Sequence, residues 1–515
     1  MYLRLLFITL CLIPFTAFSQ SDFLNYEEVT FTSELEKNMV ESLLNDENEI
    51  IYGFLIISPE DSNSFDKWKG YYAKEIDVLK SRKIAKKTSK DVKFIYDKLH
   101  EKFLRKYVDL SFFDQIFKTG TYNCVTAVAL YAMSFQELGI PYAIKETPNH
   151  VYIIADPEES QIYIETTNPT IGIKSFPPGF REEFVTKLGM MKLVDQNDIA
   201  TKGIYGVFEE HYYGGATISL KQLIGIQFYN LGLSEYEKKN YHEAWNKLTV
   251  AQLFHKNDQL STAMYATILH ILFNSNYSDW RDIELLPYLE RFKNFDIKDA
   301  SIVGEFQRML SYVLISNNDD ETAEKAFNNY IEKSINEDIK WEITYSYFYE
   351  KAVIAYNRAN YDEAFNMIVN SYKAKPGNPD AENLLRESFK LAYRNKSTGQ
   401  AMARLNTLFV NNPDLKNNNH LNSMHLNLCL TEMGEYFGEG KVTKATKMME
   451  YVEKTIAEHP EYLFNENIMG DAYSKAAVYY YKRGYTTKAR QLIKKGLEYD
   501  PDNYQLKTRL RMINR

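Results

Sequence analysis

An alanine at a fixed place in a two-helix frame recurs through the second half of the chain, and no other feature narrows its fold as much. In "FYNLGLSEYEKKNYHEAWNKLTVAQ" (228–252), Leu231 and Gly232 fall in a first helix, Tyr241 and Ala244 at the turn into a second, and Ala251 seven residues further on. The frame returns at Ala364 with Tyr361 and Pro376, and at Ala489 with Gly484, Gly496 and Pro501. Looser copies centre on Ala323 with Phe327 and Tyr330, on Ala401 with Pro413, and on Ala445. Two antiparallel helices approach closely only where alanine or glycine faces the partner, so the pattern predicts stacked helix pairs.

These residues resemble the tetratricopeptide repeat, and the resemblance implies an all-α superhelix over residues 219–515 with roughly seven helix pairs, some degenerate. Repeat surfaces of this kind take extended or helical segments in a concave groove, so a protein or peptide ligand is the expected partner.

The chain of 515 residues, 45% hydrophobic and 25% charged, is long enough for several domains and has the composition of a folded protein. Its net charge of -8 leaves no dense basic patch for a phosphate backbone, and a polybasic membrane-binding stretch is missing, so nucleic acid is not an expected partner. The start, "MYLRLLFITLCLIPFTAFSQSDF", has Arg4, an apolar core from Leu5 to Phe18, and Ala17 and Ser19 at A-x-S spacing. It predicts a signal peptide over 1–19, cleaved before Gln20, and a periplasmic or secreted protein with no transmembrane segment after cleavage.

Three cysteines occur, and Cys11 leaves with the leader. The remaining two, Cys124 and Cys429, offer neither a disulfide framework nor a thiol cluster for zinc, and no metal or cofactor is expected. Cys429, flanked by leucines in "HLNLCLTEMG", is expected to be a buried structural thiol. The other histidines, such as His211 and His242, are expected to be surface or packing residues.

Residues 20–87 form a polar, helix-biased region with one strand-like run, "EIIYGFLIISP". A helix follows from Thr88 to Tyr107, because Val92, Ile95, Tyr96, Leu99 and Phe103 share one face and Thr88 and Asp91 are placed as a capping box. The next helix opens at Cys124 behind the N-cap residue Asn123, is apolar nearly all round to Leu138, and stops at Gly139 and Pro141. Two strands, "HVYIIA" (150–155) and "QIYIETT" (161–167), are joined by "DPEES". A central cysteine-headed helix on antiparallel strands predicts an α+β arrangement.

Cys124 at the first helical position meets free backbone N–H groups and the positive dipole end, both of which favour a thiolate. His150 opens a strand after a Pro-Asn turn, where it can take the thiol proton. Antiparallel register sets it opposite residue 166 or a neighbour, which makes Glu165 the candidate to orient the imidazole, with Asn168 in "TTNPT" the competitor.

The stretch from about residue 88 to 172, with "YNCVTAVALYAMSFQELGIPY", "ETPNHVYIIAD" and "IYIETTNPT", resembles the transglutaminase-like superfamily of papain-fold cysteine hydrolases. The resemblance implies a papain-like, transglutaminase-like α+β domain over 88–218 ahead of the tetratricopeptide array, with Cys124 as nucleophile, His150 as base, and Glu165 or Asn168 as orienting residue. The family's usual aspartate is absent from "NPT", and Val151 stands where an aromatic residue commonly follows the histidine. The function so implied is an exported cysteine hydrolase or acyltransferase acting on an amide or ester bond. The alternative is a non-catalytic envelope scaffold whose repeats bind a protein partner.

Overall fold

The computed structural model describes residues 24–45, 50–57, 62–81, 89–147, 150–167, 172–191, 193–212, 214–295 and 297–513. The leader, Cys11, Thr88 and Asn168 lie outside the described residues. Among the described residues the structure is predominantly helical, with 23 α-helices spread through both halves and only short strands. This overturns the expected α+β papain-like first domain. The fold is a helical repeat fold that carries one small antiparallel sheet, because most of the apolar residues ahead of position 219 fall at helical rather than alternating spacing.

The described residues fall into two compact units, up to Ile302 and from Val303 on. In the first unit the helices are α1 (Glu34–Asn45), α2 (Ile50–Leu55), α3 (Ser62–Ser81), α4 (Ser89–Phe103), α5 (Phe113–Lys118) and α6 (Cys124–Glu137). They are followed by α7 (Pro178–Met190), α8 (Gln196–Tyr212, broken at Gly203), α9 (Leu220–Glu237), α10 (Tyr241–Phe254), α11 (Asp258–Asn274) and α12 (Trp280–Ile283). The run "EIIYGFLIISP" is helix α2 and not a strand. Ile50, Ile51, Phe54 and Leu55 are buried on several sides of it, and a Cβ at Gly53 would collide with Ile224 of α9. An unbroken apolar run carries no period to distinguish the two structures.

Helix α4 buries the face read from its spacing: Val92, Ile95, Tyr96, Leu99 and Phe103. It ends at Phe103, short of Tyr107, because the backbone then turns to pair β1 (Lys106–Tyr107) in parallel with β2 (Thr121–Tyr122). The main sheet has five antiparallel strands: β3 (Tyr142–Thr147), β4 (His150–Ala155), β5 (Ile162–Ile164), β6 (Ile173–Ser175) and β7 (Ala216–Ile218), in spatial order β6-β5-β4-β3-β7. Tyr142 lies opposite Ala155 and Thr147 opposite His150. Helix α6, buried from Val125 through Phe135, packs on β3 and β4 and against α9. The α7–α8 hairpin covers Tyr152, Ile154 and Tyr163 with Val185, Leu188, Val207 and Phe208.

The pair α9–α10 is tied into this unit by polar contacts. Gln227 donates to the Ser111 carbonyl at 3.1 Å, Gln252 accepts from the Leu24 amide at 2.9 Å, and His255 meets Glu146 of β3 at 2.7 Å.

Helix α13 (Asp299–Leu310) leads into the second unit, where α14 (Asp320–Lys333) precedes the pairs α15 (Glu337–Asn357) with α16 (Tyr361–Ala374) and α17 (Pro379–Ala392) with α18 (Thr398–Asn411). The pairs α19 (Asn419–Gly438) with α20 (Val442–Glu458) and α21 (Glu466–Tyr481) with α22 (Thr486–Tyr499) follow, and α23 (Tyr504–Ile513) closes the described residues. Ala244, Ala323, Ala364, Ala401, Ala445 and Ala489 each occupy the fourth position of their helix, and none is more than 3% exposed. In four pairs the turn between the helices contains a left-handed residue two positions before the second helix: Lys239, Ala359, Gly440 and Gly484. Glycine meets that conformation without strain, and the other two bear a modest cost. Asparagines 336, 378, 418 and 465 cap the first helices of the four pairs in the second unit. No helix of the described residues is long and apolar enough to cross a membrane.

The alanine position gives a first expected result. Ala364→Leu adds three heavy atoms of side chain on the face toward α15, where the native residue is fully buried. It is expected to cost about 1 to 3 kcal/mol and lower the unfolding midpoint by several degrees. An unchanged midpoint in a thermal melt followed at the helical signal would mean the two helices do not meet there.

Candidate functional site

The sulfur of Cys124 is placed by the turn before it. Asn123, 1% exposed, accepts a hydrogen bond from the Thr126 amide at 2.9 Å, and its own amide donates to Thr126 Oγ1 at 2.9 Å, a reciprocal capping box. Its Nδ2 donates to the carbonyls of Asp109 (3.2 Å) and Ser111 (3.4 Å). Every polar atom of the cap is therefore used. The first turn of α6 is fixed to the 109–111 loop, and that loop is held from the other side by Gln227. Cys124 itself is partly exposed and carries a free thiol.

His150 begins β4, and its carbonyl accepts from Thr147 Oγ1 at 3.0 Å. Its Nε2 lies 3.2 Å from Glu165 Oε1 and 3.3 Å from Oε2. The ladder between β4 and β5 runs from Ala155 opposite Ile162 to Ile153 opposite Ile164. Continued, it would set His150 across from Thr167, so Glu165 reaches the imidazole as a diagonal neighbour and not as the directly opposite residue. Thr167 holds the carboxylate from behind, donating through its amide at 3.0 Å and its hydroxyl at 2.6 Å to Oε1.

Burial alone would lower the basicity of His150, yet hydrogen bonds to the side chains of Cys124 and Glu165, together with their charges, raise its pKa to about 9. Burial likewise works against ionisation of Glu165, and the bonds from His150 and Thr167 outweigh it, lowering that pKa to about 2. The imidazole and carboxylate read from the sequence are thus paired, and the thiol of Cys124 is among the groups that set the basicity of that histidine. Asn168 is not among the described residues.

Cys429 provides the contrast. It lies in the core between α19, α20 and α21, 1% exposed, and burial first, then the charge of Glu432, pushes its thiol up to about 12. His425 Nδ1 is 3.6 Å away, but burial lowers that histidine's pKa, so no imidazolium stands beside the sulfur. His211 is exposed, and His242 is engaged with Asp282 at 2.7 Å.

Tyr107 was not singled out by any sequence pattern. It is 39% exposed, its ring meets Tyr122 edge-on at 5.9 Å, and burial followed by the charge of Cys124 raises its pKa to about 12. The parallel pairing of β1 with β2 sets it beside the turn that leads to Cys124. Two residues on each strand are too few to leave a periodic signal.

No protein family's profile matches the chain, and no curated protein matches it. Nothing supports the transglutaminase-like resemblance of residues 88–172. Among solved structures the chain is similar to the tetratricopeptide domain of P58(IPK), with 11% sequence identity and a TM-score of 0.19, over 61% of this chain and 86% of that one. A likeness that low has no bearing on the site. The helices themselves decide the architecture: six buried alanines hold one position of six helices, and four of these helices, those of Ala244, Ala364, Ala445 and Ala489, pack closely on the helix before them. The chain carries tetratricopeptide-like helix pairs.

Proposed function

We propose that the chain is a helical-repeat scaffold for a protein or peptide partner that also carries a thiol site, Cys124–His150–Glu165, acting on an amide or ester carbonyl. The observation that carries the catalytic part is the His150–Glu165 pair, with Nε2 3.2 Å from Oε1, and Cys124 at the head of α6 among the groups that raise the basicity of that imidazole. With Nε2 engaged by the carboxylate, Nδ1 is the nitrogen for the thiol proton. The thiolate adds to the carbonyl carbon, and backbone N–H groups at the start of α6 hold the oxyanion. The imidazolium returns its proton to the leaving amine or alcohol as the C–N or C–O bond breaks, and water, deprotonated by the same imidazole, releases the acid and the thiol. Glu165 orients the ring and stabilises its charged form. We place this activity outside the cytoplasm on the leader expected from the sequence at 1–19.

The second reading is a scaffold without chemistry, favoured by the share of the chain given to helix pairs and by the absence of any family match for the region around Cys124. Incubation with an activated ester such as p-nitrophenyl acetate separates the two. The catalytic reading expects an acetyl adduct on Cys124 by mass spectrometry and turnover that disappears in Cys124→Ala. Turnover unchanged in Cys124→Ala, or a folded protein that never acquires the adduct, leaves the scaffold reading.

A further inference from the structure

Between Lys482 and Arg515 the sequence has ten Lys or Arg against three Asp or Glu, in a chain whose net charge is -8. No contiguous basic run results, but the fold brings five of them, Lys482, Arg483, Lys488, Arg490 and Arg511, to one end of the last helix pair. Helix α21 ends at Tyr481 and α22 starts at Thr486, so Tyr481, Lys482, Arg483, Tyr485 and Lys488 surround one turn. Arg490 Nη2 donates to the carbonyl of Ile513 at 3.2 Å, which brings the end of α23, with Arg511 and Met512, beside the first turn of α22. The three acids, Glu498, Asp500 and Asp502, lie at the opposite end of α22, where Lys507 pairs with Asp502 at 2.9 Å.

Lys482, Arg483, Lys488 and Arg511 are exposed and make no ion pair among the described residues. Arg483 is pre-ordered, its guanidinium 3.8 Å from the Tyr479 ring centroid and bonded to the Tyr479 carbonyl at 3.3 Å. Three large side chains are exposed among the cations: Tyr481 (51%), Tyr485 (62%) and Met512 (66%). At the adjacent turn, near Gly440, Glu439 is paired with Lys441 (2.5 Å), while Glu432 and Glu435 accept from the neutral hydroxyls of Tyr436 (2.6 Å) and Thr398 (2.7 Å) and keep their charge.

We propose that this tip docks on a phospholipid bilayer bearing anionic headgroups. Lysine and arginine meet the headgroup phosphates, while tyrosine rings and a methionine thioether suit the boundary between headgroup and acyl chain. A nucleic acid would use the cations but leave Tyr481, Tyr485 and Met512 without a role. A polyanion would also meet a chain whose net charge is -8 and whose cationic excess lies in this segment.

Co-sedimentation of the full-length protein with phosphatidylcholine vesicles, with and without phosphatidylglycerol, tests the proposal. Binding is expected only with phosphatidylglycerol, weakened by added salt, and reduced about tenfold or more by Lys482→Glu/Arg483→Glu/Lys488→Glu. Tyr485→Ala/Met512→Ala is expected to weaken binding while leaving its salt dependence in place. Should the triple variant lose its cooperative helical melt, Lys482→Gln/Lys488→Gln, which introduces no new charge, takes its place with a smaller reduction. Equal binding to neutral vesicles, undiminished binding by folded variants, preferred binding to duplex DNA, or sedimentation by self-association without vesicles would each overturn it.

Discussion

Iodoacetamide at pH 7 is expected to label Cys124 in a Cys429→Ala background about tenfold to a hundredfold faster than in the same protein carrying His150→Ala. The thiolate is the nucleophile, so the rate reports how much of the sulfur is ionised. Two features of the structure place positive potential near the sulfur. Asn123 fixes the sulfur at the first position of α6, where the orphan amides and the dipole act. His150, held positive up to about pH 9 chiefly by its bonds to Cys124 and Glu165 against the opposing effect of burial, adds a full charge. Removing the imidazole takes away the larger of the two and leaves the helix end in place. The Cys429→Ala change removes a thiol that burial keeps protonated, so the background signal is small. Equal rates with and without the imidazole, or labelling seen only in denaturant, would leave Cys124 a partly covered core residue.

What the sequence made legible is what repeats or what is local. The alanine frame was readable because each copy must satisfy the same close approach, and six residues recur at one helical position. Asn123 and Cys124 were readable because a cap and its helix are neighbours in the chain. The third member of the site was not, since Glu165 and Asn168 both fall near the end of the strand read at 161–167 and spacing alone does not choose between them. That register places Glu165 diagonal to His150, a shift no alternation pattern encodes. The expected α+β domain failed for a related reason. Five short strands cluster around one motif, and a reading centred on that motif gave the sheet too much weight against the helices around it. The bonds of Ser111 to Asn123 and Gln227 span more than a hundred residues on one side and twelve on the other, and leave no trace in spacing.

Glu165→Gln is expected to make the protein less stable by an amount that depends on pH, and the sign at each end is fixed by the two shifts. The carboxylate titrates at about 2 in the folded chain against an ordinary 4.5, so its contribution is complete above 4.5 and is lost as pH falls through 2. The imidazole titrates at about 9 against an ordinary 6.5, so its contribution is complete below 6.5 and is lost as pH rises through 9. Both are complete only between 4.5 and 6.5. Within that window the variant is expected to lose about 1 to 3 kcal/mol, measured as the difference in unfolding midpoint from the wild type, with the gap closing toward pH 2 and narrowing above pH 9. Glutamine keeps the size and an acceptor oxygen, so the loss measures the charge. The variant should also make the alkylation of Cys124 slower at pH 7, because burial, now less opposed, returns His150 toward its neutral form. A stability loss independent of pH would mean that the carboxylate is packed beside the imidazole without being paired to it. Slower alkylation with no pH-dependent loss would place the pairing in the thiolate–imidazolium state alone.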